Sequence, residues 1–91
     1  MTVGAPGKER LLGVTEAIVA VRDQCPSGAV RAVARGALET VGREGAAALP
    51  AQAYLVLSAT RGWTGERASL VRRSLQAFLD ESAKTQRGPA T

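Results

Sequence analysis

The sequence predicts an all-α protein, a compact four-helix bundle with antiparallel neighbours. Three observations carry that expectation. Apolar residues recur at intervals of three and four, turn residues divide the chain into four segments, and nothing alternates with period two to give a strand a partner. The composition, 45% hydrophobic and 22% charged, is that of a globular chain rather than a disordered one. Aromatic residues make up only 3%, so Leu, Val, Ile and many alanines must build the core, which suits closely packed helices. At 91 residues the chain is a single domain near the lower end of what one core can stabilise, and self-association would add burial.

The elements follow in order. Residues 1–7, with two glycines and a proline, read as a flexible lead-in to a single helical domain over 8–83. The first helix is expected near 8–24, because Leu11, Val14, Ile18 and Val21 repeat at three, four and three residues. The turn Cys25-Pro26-Ser27-Gly28 ends it, since Pro26 cannot continue a helix, and Ser27 is placed to cap the next.

The second helix, near 28–44, has Val30, Val33, Ala34, Ala37, Leu38 and Val41 on one side and Arg35, Glu39 and Arg43 on the other. Gly42 and Gly45 mark its end, and Pro50 suits the first turn of a third helix near 50–61. That helix is apolar almost all round, which predicts burial among the others. Gly62 closes it and Thr64 is the expected cap of a fourth helix near 64–82, with Val71, Leu75, Phe78 and Leu79 inward. Residues 84–91 read as a flexible tail.

Chemistry is sparse. There is no histidine, the commonest general base, and one cysteine, Cys25, so neither an internal disulfide nor a cluster of metal ligands is expected. Asp80 and Glu81 are adjacent and diverge on a helix, and GAPGK at 4–8 lacks phosphate-loop spacing. No catalytic residue, metal, cofactor or small-molecule substrate is therefore assigned. The longest nearly uncharged run, Gly45 to Thr60, falls short of the roughly 20 apolar residues of a membrane span. With no apolar leader at its start, the chain reads as cytoplasmic with no membrane partner.

Two surfaces stand out. Leu12 and Val19, seven residues apart, form a second apolar stripe on the first helix and are the expected oligomer contact. The second is RGWTGERASLVRR, residues 61–73, which carries four arginines against Glu66 and the whole charge excess of the second half of a chain whose net charge is +4. Arg67, Arg72 and Arg73 have no acid three or four residues away. Together with Arg61 they could follow a phosphate backbone, with Trp63 as a stacking platform. Alternatively, Trp63 folds back on the helix start and the arginines lie along the surface. Residues 49–75 loosely resemble the opening of a winged helix domain, but no recognition helix or pair of wing strands follows, and no family is assigned. The expected function is a small non-enzymatic helical interaction or scaffold protein, self-associating or a subunit of a larger assembly, with nucleic-acid backbone binding as the alternative.

Overall fold

A computed structural model describes residues 10–87; the expected lead-in over 1–7 and the last four residues of the expected tail lie outside them. Among the described residues the protein is an all-α bundle without strands: α1 spans Val14–Gln24, α2 Gly28–Glu44, α3 Leu49–Ala59 and α4 Glu66–Arg87. Short 3-10 turns, Ala46–Ala48 and Thr60–Gly62, flank α3. Each helix packs against the next, and α4 returns against α1 to close the ring.

The first helix starts later than the expected residue 8. Residues 10–13 are not helical, because Gly13 is extended at the N-cap and its N–H donates to Glu16 Oε1 at 3.1 Å. The segment before it is tied across the bundle, where Leu12 N–H donates to Ser74 Oγ of α4 at 2.9 Å. Leu11 therefore leaves the helical register and is exposed. The helix stops where expected, with Cys25 extended ahead of Pro26.

Ser27 caps α2 as expected, its Oγ accepting from Val30 N–H at 3.3 Å. The helix ends at Gly45, whose φ of 85° and ψ of −173° suit glycine alone. Pro50 lies in the first turn of α3, where its missing N–H leaves no hydrogen bond unmade. The α4 cap is shifted from the expected Thr64. Gly65, with φ 109°, turns the chain, and its carbonyl accepts from Ser69 N–H in the first helical bond. At its far end α4 continues past the expected Ser82 to Arg87, so the helix includes the start of the expected tail.

The core is small-chained, as the composition predicts. Ile18, Val21, Val56, Val71 and Leu75 are fully buried and Ala17, Ala34, Ala37 and Ala53 let the helices approach. Each of the larger side chains contributes about 1.5–3 kcal/mol by burial. Phe78 and Leu79 pack on its edge, while Val33, expected inward, is partly exposed on α2. The larger departure is α3. Its Ala53 and Val56 are buried, but Tyr54 and Leu55 face outward, 62% and 50% exposed. In a ring of four helices no member is surrounded, so a helix apolar all round must present one side to solvent.

Candidate contact surface

The arginine-rich segment is divided by the fold. Arg72 Nη1 donates to the carbonyl of Thr60 at 3.0 Å and, through a short contact, to that of Trp63. Thr60 opens the 3-10 turn after α3 and Trp63 is its C-cap, so Arg72 bonds the carbonyls at both ends of that turn. Arg72 is half-buried in that position and ties the α3–α4 connection to the first turns of α4. The absence of an acid three or four residues away hid these partners, since they are carbonyls nine and twelve residues back.

Trp63 is also turned inward. It packs half-buried on the core and, with Cys25, Pro26, Val30 and Ala59, lines a cavity of about 200 Å³ between the α1–α2 turn and the end of α3. Arg67 Nε donates to Gln24 Oε1 at 2.8 Å, joining the start of α4 to the end of α1. Arg61, on the 3-10 turn, and Arg73, on α4, are exposed. The five residues therefore do not form one open face: two, Arg72 and Trp63, hold the α3–α4 connection.

Leu12 and Val19 are not on one helical stripe. Leu12 precedes α1 and packs half-buried on the core, while Val19 lies half-buried within the helix. Another structural arginine sits at the α1–α2 turn, where Arg31 Nη1 donates to the Cys25 carbonyl at 2.8 Å. Nearby, Arg22 donates to Asp23 Oδ1 at 2.8 Å, and that hydrogen bond holds the Asp23 carboxyl below its ordinary range. Both side chains are exposed, so the pair is a surface feature.

The larger exposed apolar feature is on α3. Ala51, Tyr54 and Leu55 occupy one side at helical spacing, and no charged residue interrupts the chain between Glu44 and Arg61. The sequence signal for it is the all-round hydrophobicity of this helix. Among the described residues no three His, Cys, Asp or Glu side chains are grouped to hold a metal ion, and no helix is long and apolar enough to cross a membrane. Compared with protein-family models, with curated proteins and with solved structures, the chain matches none.

Proposed function

We propose that the protein acts by contact rather than by catalysis, as a small helical interaction module that docks through the exposed side of α3. The observation that carries this is the outward placement of Tyr54 and Leu55, neighbours on a helix without charge. Together they leave roughly 200 Å² of largely apolar surface in water. Covering it would recover about 5 kcal/mol per molecule before the costs of association. Tyrosine is enriched at protein interfaces and charge is depleted from their centres, which matches this side of α3. The absence of histidine and of paired carboxylates in sequence supports a non-enzymatic role.

Nucleic-acid binding is the weaker reading. Net charge +4 and the exposure of Arg61 and Arg73 support it. The engagement of Arg72 with two carbonyls and the packing of Trp63 count against it.

The contact proposal is tested with a photo-crosslinking amino acid placed at position 54, and at position 35 on the exposed side of α2 as control. Irradiation in a lysate of the source cells should give an adduct of one identified protein at position 54, lost when Leu55→Glu is added. Equal labelling from both positions, or none from position 54, would refute a docking role for α3.

A further inference from the structure

We infer that the occupant of the α3 face is a second copy of this chain, packed antiparallel about a two-fold axis crossing α3. This rests on the contact role proposed above and names its partner.

The argument starts from charge. Each copy carries +4, so two copies repel wherever arginine-bearing surfaces meet. The run Gly45–Thr60 carries no charge, and its apolar side can approach a like-charged molecule without bringing arginines together. Its two ends carry opposite signs. Glu44 closes α2 immediately before the run, and Arg61 lies on the 3-10 turn immediately after α3. Both are exposed, and neither has an ion-pair partner among the described residues.

An antiparallel two-fold arrangement turns that polarity into complementarity. Glu44 of one copy comes to lie beside Arg61 of the partner subunit, and the symmetry makes the pair twice. The axis of this arrangement is placed beside Tyr54 and Leu55, the large exposed apolar side chains of α3. The largest exposed apolar side chains of α3 then meet at the centre, and the charges lie at the rim. A parallel arrangement would instead set Arg61 against Arg61 and Glu44 against Glu44.

Size sets the strength. Eleven residues of α3 make a face about 16 Å long. Tyr54 and Leu55 supply about 400 Å² from the two copies, and with the residues around them the interface falls among the small ones, below about 1,200 Å². The dimer therefore belongs with weak, transient associations and is sought at high protein concentration.

Sedimentation velocity from a few micromolar to several hundred micromolar tests this, with circular dichroism confirming that each variant is folded. The wild type should pass from monomer to dimer over that range. Arg61→Glu and Glu44→Arg should each weaken the dimer about ten-fold, the Glu44→Arg/Arg61→Glu double variant should recover it, and Leu55→Glu should abolish it. A wild type that stays monomeric overturns the second copy as occupant. In that case an adduct with a different protein at position 54 leaves the contact role standing, and no adduct removes both. A dimer that survives Leu55→Glu, or a charge reversal that the double variant does not rescue, also overturns this interface.

Discussion

Replacing Arg72 by alanine separates a guanidinium that closes the fold from one that faces a ligand. The side chain donates to the carbonyls of Thr60 and Trp63. Net contributions of hydrogen bonds from charged donors are about 1.5–3 kcal/mol each, and the lower end applies to a half-buried group. The Thr60 carbonyl keeps a second donor, Trp63 N–H at 2.9 Å, so its loss is only partial. Arg72→Ala should therefore cost about 2 kcal/mol. In a domain of this size that lowers Tm by about 8–16 °C. Arg72→Lys, which keeps the charge but presents a single nitrogen on a different stem, should recover about half. Arg61→Ala, at an exposed position, should stay within about 0.5 kcal/mol of wild type. Thermal and urea unfolding followed by circular dichroism measure all three. An Arg72→Ala protein melting within about 2 °C of wild type would refute the carbonyl clamp and return Arg72 to the surface.

Further variants test the packing and the turns. Gly36, helical within α2 and with open space where a Cβ would sit, should gain about 0.5–1 kcal/mol as Gly36→Ala. Gly45→Ala should lose about 1–3 kcal/mol although nothing crowds it, because its backbone geometry excludes an L side chain. Equal effects from the two in urea denaturation would contradict the assigned turn. Ser74 is buried, donates to the Leu70 carbonyl at 2.7 Å and accepts from Leu12 N–H. Ser74→Ala should cost about 1–3 kcal/mol by leaving that N–H without a partner, and should speed amide exchange at Leu12 before the rest of the bundle opens.

What could be read from the sequence was local. Ser27, Pro26 and Pro50 announce their positions through chemistry that acts within a turn, and the helices stop or start beside them. Helical spacing likewise found Ile18, Val21, Val71 and Leu75, which are all fully buried. The start of α1 differs from expectation because Leu11 fits the same three-four spacing without being helical. The deciding interaction, Leu12 to Ser74, joins residues 62 apart and leaves no local trace. Tyr54 and Leu55 depart from expectation for a different reason. Hydrophobicity on every side of a helix says that each side prefers cover, but the number of neighbours in a four-helix ring decides how many sides receive it. The partners of Arg72 are hidden for a third. Spacing along a helix reports nearby acids, whereas this arginine binds backbone carbonyls at the end of another helix.

The engagement of Arg72 sets a limit on phosphate binding that salt can measure. With Arg72 engaged, the segment 61–73 offers a phosphate backbone at most Arg61, Arg67 and Arg73, all exposed. To take part, Arg67 must release Gln24 and Arg73 must give up its own contact. Three contacts on duplex DNA give a slope of log K against log salt of about −2.7. From 50 to 200 mM salt that is a loss of about 40-fold, far less than the roughly 10³–10⁵ expected of six to ten contacts. Fluorescence anisotropy with labelled single- and double-stranded oligonucleotides should therefore give slopes no steeper than about −3. Arg72→Ala, tested below its lowered Tm, should leave the slope unchanged. A steeper slope that becomes shallower by about one in Arg72→Ala would show that Arg72 leaves the Thr60 and Trp63 carbonyls to meet phosphate. The arginine cluster would then become the binding surface, and the exposed side of α3 would lose its priority.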